Sequence, residues 1–241
     1  MLLYLGKGVR RYGLHPFGVT ARPHWEFQAV LRGSIGMRLA DKSGLLHQRW
    51  LWLSPPGHPH GWTGDGRKPA EVAVFHFPSI PEPLRRLAQG GAPVEMALTA
   101  DHCRRIQALA DRAQYYRDHP APCMMMNNEH ILLELSLMIY EAKRDSTADT
   151  TLANDRRVGE ALRWFVERIH ENPSQEDIAR AANVSPAHLR RLFHEVLKTA
   201  PKRAFDQLRF QRAIELMTDP ALKLSAVSDA CGFESQSAFS R

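Results

Sequence analysis

Two segments in the C-terminal third repeat one pattern about fifty residues apart, and each has the spacing of a helix, a tight turn and a second helix. The first, IARAANVSPAHLRRLF, runs from Ile178 to Phe193, and the second, VSDACGFESQSAFSR, runs from Val227 to Arg241. Ile178, Ala179 and Ala182 correspond to Val227, Ser228 and Cys231 on a leading helix. Asn183 and Gly232 take the turn, where a positive φ costs these residue types least, and Val184 and Phe233 plug the corner. A trailing helix then opens in the first unit at Ser185, a good N-cap, followed by Pro186, whose fixed φ suits the first helical position. Ser235 takes that part in the second unit after one extra residue. Leu189 and Phe193 are expected to face inward, with Phe239 in the place of Leu189. The outward faces are then Ala187, Arg190, Arg191 and His194 in the first unit, and Gln236, Ser237, Ser240 and Arg241 in the second. Arginine pairs with guanine edges, glutamine with adenine, and serine with bases or phosphates, so these positions are the expected DNA-binding residues.

Between the two segments lies APKRAFDQLRFQRAIELM, Ala200 to Met217. Phe205, Leu208, Ala213, Leu216 and Met217 fall on one stripe, with Lys202, Arg203, Arg209 and Arg212 mostly off it. A continuous helix of about eighteen residues spans roughly 27 Å. It would hold the two trailing helices about one DNA turn apart, near 34 Å, so that both enter successive major grooves on one face. The stretch from about Asn154 to Arg241 resembles the DNA-binding domain of the AraC/XylS family of bacterial transcription regulators; SPAHLRRLF, LRFQRAIELM and ACGFESQSAFSR carry the resemblance. It implies a sequence-specific regulator of promoter DNA, an activator rather than a repressor and not an enzyme, with RNA polymerase as a further partner. Family members continue the second trailing helix past the Phe-Ser-Arg stretch and add another short helix. The resemblance therefore implies a second motif that is incomplete at Arg241. A helix ending after about two turns frays, which makes base reading by Gln236, Ser240 and Arg241 weaker than that by Arg190 and Arg191.

A chain of 241 residues suits two domains. Its net charge of +6 suits an acidic partner. From Asp155 onward, however, 14 Lys and Arg stand against 12 Asp and Glu, so the excess is not concentrated in the DNA-reading part. Cys103, Cys123 and Cys231 are odd in number and lack metal-ligand spacing, which predicts reduced thiols. The N-terminal apolar run is broken by Lys7, Arg10 and Arg11, and nothing approaches the length of a membrane span. A soluble cytoplasmic protein without membrane contact and without a cofactor is expected.

The rest of the chain predicts an α+β two-domain architecture. Short alternating runs such as FQAVLRG, GMRLA, HQRWLWLSP and EVAVFHF are separated by turn signals at Gly33, Asp41 to Gly44, Pro55 to Gly57 and Thr63 to Gly66. They predict an antiparallel β-barrel over 1–83. A helical extension over 84–144 follows, with apolar residues at helical spacing in Thr99 to Tyr116 and in Asn127 to Lys143. The polar stretch 145–153 reads as a linker, and 154–241 as an all-α domain with the two helix-turn-helix motifs, the second truncated. On the second of the extension's helices Ile131, Leu135 and Met138 are the expected face for a homodimer, with Cys123 to Met126 adding soft packing surface.

HWEFQAVLRGSIG, His24 to Gly36, and LWLSPPGHPHGW, Leu51 to Trp62, look like the two motifs of the small-barrel cupin domain that family regulators use as a sensor. In metal-binding cupins the first motif supplies two His and a Glu, and the second a further His. Here His24 and Glu26 stand in place of the usual His-x-His pair, and the later Glu has no clear equivalent, although His58, His60 and His76 lie nearby in sequence. No metal is expected. The barrel mouth is expected instead to hold a small polar effector, a sugar among the candidates. Glu26, Arg38, Trp52 and His60 are the expected contacts, and Trp25, Trp50, Trp62 and Phe75 lie close by in sequence. Two competing readings stay open at this stage. One is a cupin metalloenzyme using His24, Glu26, His58 or His60 for oxidation or isomerisation; the other is an interaction protein that pairs with full-length regulators.

Overall fold

Alternation along the strand Trp25–Arg32 (β3) sorts the first unit into layers, because successive strand side chains point to opposite faces. Trp25, Phe27, Ala29 and Leu31 join one apolar core, and Val30 joins a second on the other face, with Glu26 and Gln28 sharing its parity. A computed structural model describes residues 1–40, 44–144, 152–219, 221–233 and 239. The chain divides into two units, Met1–Ala148 and Asp149–Arg241.

In the first unit, β3 is central to a five-stranded antiparallel sheet. The order is β1 (Tyr4–Arg10), β7 (Ala70–Phe77), β3, β5 (Trp50–Ser54) and β8 (Val94–Ala97). A three-stranded sheet of β2 (Phe17–Thr20), β6 (His60–Gly64) and β4 (Ile35–Arg38) faces it, closing an inner core of Val30, Trp52, Val72 and Val74 against Ile35, Met37 and Trp62. Helices α1 (Glu82–Leu87), α2 (Ala100–Asp118) and α3 (Met124–Arg144) cover the opposite face of the larger sheet, where Phe27, Leu53, Phe75 and Phe77 meet Leu84, Ile106, Leu109 and Ile139. Thr99 caps α2, its Oγ1 accepting from His102 N at 3.1 Å.

Several sequence expectations are corrected here. The sheet extends to Ala97, beyond the boundary expected at residue 83, because Val94 and Met96 of β8 cover the exposed side of β5. Strands β1, β2, β6 and β8 lie outside the runs read from the sequence: β1 is an edge strand carrying Gly6, Gly8 and two basic residues, and β2 and β8 are four residues long. Trp25 and Phe75 lie in the core beneath the helices, on the wrong parity for a barrel mouth. The expected dimer face is also displaced. Ile131, Leu135 and Met138 are buried in that core, and the apolar residues that α3 leaves exposed are Met125, Met126, Leu133 and Leu137.

The second unit is all helical: α4 (Ala153–Glu167), a 3₁₀ turn at Ile169–Glu171, α5 (Gln175–Ala181), α6 (Pro186–Leu197), α7 (Pro201–Met217) and α8 (Leu224–Ala230). Residues 145–151 of the expected linker lie outside the described residues, and α4 already begins at Ala153. Val158, Ala161 and Phe165 form the buried stripe of α4. Phe205 of α7 packs between Phe165 and Phe193, at ring separations of 4.6 and 5.2 Å. Met217, expected on the buried stripe of α7, is 45 % exposed, since the stripe ends at Ala213 and the half-buried Leu216. Among the described residues no helix is long and apolar enough to cross a membrane.

Candidate nucleic-acid interface and effector cavity

The two turns are built by the same backbone hydrogen bonds at a constant offset. Ala182 N donates to Ile178 O at 3.0 Å, as Cys231 N does to Val227 O at 3.1 Å. Asn183 N reaches Arg180 O at 3.0 Å and Gly232 N reaches Asp229 O at 3.0 Å. Val184 N reaches Ala179 O at 2.9 Å and Phe233 N reaches Ser228 O at 3.1 Å. Both pivots are left-handed, with φ of 52° at Asn183 and 69° at Gly232.

Past the first turn, Ser185 Oγ accepts from His188 N at 3.2 Å and Pro186 opens α6. Leu189, Leu192 and Phe193 anchor the helix in the core. Ala187, Arg190, Arg191 and His194 are exposed, at the three- and four-residue spacing that shares one helix face. Arg191 Nη2 lies 3.4 Å from His188 Nε2. Two guanidinium groups on one solvent-facing strip of a capped helix can meet phosphates or the O6 and N7 edge of guanine.

Gln236, Ser237, Ser240 and Arg241, together with the expected cap Ser235, lie outside the described residues. Phe239 is described, and packs on Phe233 at 5.2 Å within the cluster of Ala213, Val227 and Cys231. The second turn is seated on the 3₁₀ turn: a Cβ at Gly232 would meet Ile169 O at 2.0 Å, so no other residue fits. Arg209 holds the same seat. Its Nη2 donates to Asn172 Oδ1 at 2.6 Å, and its guanidinium lies over Phe165 at 5.4 Å and Phe233 at 6.0 Å. The sequence reading placed Arg209 off the buried stripe, yet its side chain is 16 % exposed. Its spacing was the missed signal, four residues from buried Phe205 and four from buried Ala213.

Between the two sheets of the first unit, Glu26 is buried with a ring of donors around it. Its Oε1 accepts from Trp62 Nε1 at 3.2 Å and lies 3.4 Å from His60 Nε2. Its Oε2 faces Arg22 Nε at 3.0 Å and His76 Nε2 at 3.2 Å. Burial pushes the Glu26 carboxyl up, but hydrogen bonds from His60 and His76 and the charge of Arg22 outweigh it and hold the group well below the usual carboxylate range. A cavity of about 130 Å³ opens beside it, with Tyr4, Tyr12, Phe17 and Trp62 as aromatic walls and Arg22, Gln28 and His76 as further polar lining.

Of the expected effector contacts, Glu26 lines this cavity, and His60 borders it through Glu26 and Arg22, whose Nη1 lies 3.1 Å from His60 Nε2. Trp52 does not line it; it is packed into the inner core, with its ring 5.0 Å from that of Trp62. Arg38 does not line it either, because Ile35 and Met37 occupy the inward parity of β4 and Arg38 alternates outward. Tyr4, Tyr12, Phe17, Arg22 and Gln28 were missed; Gln28 alone was legible, two residues from Glu26 on the same face. Of the His24, Glu26, His58 and His60 set, His60 lies between Glu26 and His58, with its Nε2 3.4 Å from Glu26 Oε1 and its Nδ1 3.5 Å from His58 Nδ1. The His24 ring lies against His76 at 4.2 Å, and His60 Nδ1 is 2.9 Å from His58 O. Among the described residues no group of three or more His, Cys, Asp or Glu is arranged to hold a metal ion.

Residues 178–241 match a family model described as a helix-turn-helix domain. The chain is 24% identical over 137 residues to the HTH-type transcriptional activator RhaS of Salmonella schwarzengrund (strain CVM19633), a match covering 57% of this chain and 47% of that protein. It is 30% identical over 88 residues to the HTH-type transcriptional regulator GbdR of Pseudomonas aeruginosa (strain UCBPP-PA14), covering 36% of this chain and 24% of that protein. The chain thus spans about half the length of the first relative and about a quarter of the second. A solved transcriptional regulator of Chromobacterium violaceum, one of the AraC-type DNA-binding domain-containing proteins, is 34% identical over 36% of this chain and 77% of its own, with a TM-score of 0.34. The family match falls on the segment that builds both turns, and the 34% identity runs over most of an AraC-type chain; the chain belongs to the AraC/XylS family of transcription regulators.

Proposed function

We propose that this chain is a cytoplasmic, sequence-specific DNA-binding transcription regulator, an activator rather than an enzyme. Its first unit senses a small-molecule effector, and its second unit binds promoter DNA. The observation that carries the reading is the pair of turns with matching hydrogen bonds, the first followed by a capped helix with Ala187, Arg190, Arg191 and His194 on its free face. In this reading α6 enters a major groove, its arginines read guanine edges or grip phosphates, and Gln236, Ser237, Ser240 and Arg241 address the next groove. The α7 helix, 17 residues long, spans roughly 26 Å and sets the separation.

Glu26 and His60, with His76, hold the effector. Its binding alters DNA affinity only to the extent that it binds the two regulatory states differently. RNA polymerase is a further proposed partner. A second copy of the chain is the proposed occupant of the exposed face of α3, where Met126, Leu133 and Leu137 recur at the seven- and four-residue spacing of a helix seam. Sedimentation velocity of Leu133→Asp tests that pairing, the dimer dissociating if the seam holds it.

Selection of bound sequences from a random DNA pool at two salt concentrations tests the reading as a whole. Enrichment of two motifs about one helical turn apart, with affinity falling as salt rises, is the expected result. A pool that remains random at both salt concentrations would overturn it.

A further inference from the structure

Glu26 and Arg22 form an ion pair of unequal depth. Glu26 is 2 % exposed, whereas the Arg22 side chain is 13 % exposed and hangs from the segment between β2 and β3. The Arg22 guanidinium stands against Glu26 Oε2 and also over the Phe17 ring, 5.1 Å from its centre. A buried carboxylate beside aromatic faces is the arrangement that retains organic cations, and here a side chain of the protein occupies it. Tyr4, Tyr12 and Trp62 extend the aromatic wall around the adjoining cavity.

The inner, fixed pole of this cavity is negative, and the positive group is the shallower, displaceable one. An incoming anion would meet Glu26 at the bottom, while an incoming cation would replace Arg22 with like charge. Gln28 Nε2, in a residue 1 % exposed on the cavity wall, has no hydrogen-bond partner among the described residues. It offers a hydrogen bond to an acceptor elsewhere on the ligand. The cavity holds about four waters' volume, the scale of methylguanidinium or tetramethylammonium.

We propose that the effector of the first unit is a small organic cation, an amine, guanidine or alkylammonium compound, that displaces the Arg22 guanidinium from Glu26 within the aromatic-walled cavity. The proposal rests on the reading of the first unit as a sensor. Arg22 then acts as an internal competitor that occupies the site until the ligand arrives, and its release frees the segment joining β2 to β3.

Isothermal titration calorimetry on the full chain tests this, with methylguanidinium and tetramethylammonium chlorides as probes and sodium acetate and glucose at matched ionic strength as comparators. The expected result is binding of at least one cation by the wild type. That affinity should be at least tenfold tighter in Arg22→Ala, where the competitor is gone, and at least tenfold weaker in Glu26→Gln. Phe17→Leu, at an exposed edge position, should weaken cation binding several-fold, and it serves as the test should Glu26→Gln fail to fold. Four results would overturn the proposal: acetate binding that disappears in Arg22→Ala, glucose binding without cation binding, cation affinity unchanged in both Glu26→Gln and Phe17→Leu, or no cation bound by either wild type or Arg22→Ala. DNA affinity, measured on the same preparations without probe, keeps failure here separate from failure of the regulator reading.

Discussion

The two helix-turn-helix motifs share a turn and differ in almost everything that supports it. The first is framed by caps: Ser174 Oγ accepts from Asp177 N at 3.2 Å while Asp177 Oδ2 accepts from Ser174 N at 3.2 Å, and Ser185 caps α6. It sits in a core that includes Phe165, Leu192, Phe193 and Phe205. At the equivalent place in the second motif, α8 follows Lys223, which supplies no side-chain cap, and the fully buried cluster is Ala213, Val227 and Cys231. Turn geometry needs only a residue that tolerates positive φ and an apolar plug, so a short repeat reproduces it. Stability comes from caps and packing, which the repeat does not copy. The second motif draws its support from its seat on the 3₁₀ turn that precedes the first, through Gly232 and Arg209.

That contrast can be broken most severely at Gly232. Gly232→Ala should destabilise the second motif by about 3 kcal/mol, since the added Cβ meets the Ile169 carbonyl at 2.0 Å on top of the left-handed backbone penalty. Asn183→Ala, on a turn that is also left-handed but whose residue already carries a Cβ, should cost only about 1 kcal/mol. Urea melts of the two variants give the comparison, and equal costs would show that the second turn is not seated as described. Arg209→Leu should cost about 2 kcal/mol, because it removes a charged donor from Asn172 and a cation from between Phe165 and Phe233. Hydrogen exchange should then accelerate in α8 more than in α5.

Smaller changes sharpen the contrast. Ser174→Ala should cost about 1 kcal/mol, while Lys223→Ser, which gives α8 the cap it lacks, should gain up to about 1 kcal/mol. Thermal melts that show no gain for Lys223→Ser would mean that α8 is limited by packing alone. The smallest effect is set by pH. Hydrogen bonds from the Ser174 hydroxyl and backbone N–H, with Arg180 nearby, hold the Asp177 carboxyl below its ordinary value. Its contribution is therefore complete above the unfolded carboxylate pKa of about 3.9 and is lost as pH falls through the lower folded value. Acid should loosen the start of α5 and leave the start of α8 unchanged, which amide chemical shifts between pH 5 and pH 3 would register.

The second unit was legible because its information is local. A pivot at Asn183 or Gly232, a cap at Ser185, and apolar spacing through Leu189 and Phe193 specify a turn and its helices within a few residues. The first unit depends on pairing across the chain, and there the sequence reading fell short. Tyr4 faces the cavity only because β1 pairs with β7, opposite His76, and Arg22 belongs to it only because the segment before β3 folds back over Phe17. Trp52 and Arg38 were drawn to the site by residue type, and strand parity and core packing sent them elsewhere. For α3, spacing identified the helix but not which of its apolar stripes the sheet would bury, since Ile131 and Leu133 are equally apolar.

The central claim is that the exposed face of α6 reads DNA, and a mobility-shift titration on a selected sequence tests it most directly. Arg190→Ala and Arg191→Ala should each lose about 1 to 3 kcal/mol of specific binding, roughly five- to 150-fold, where the arginine contacts a base. Single changes at Gln236 or Ser240 should cost less. Full affinity for the selected sequence in both arginine variants would contradict the assignment of α6 as the reading helix.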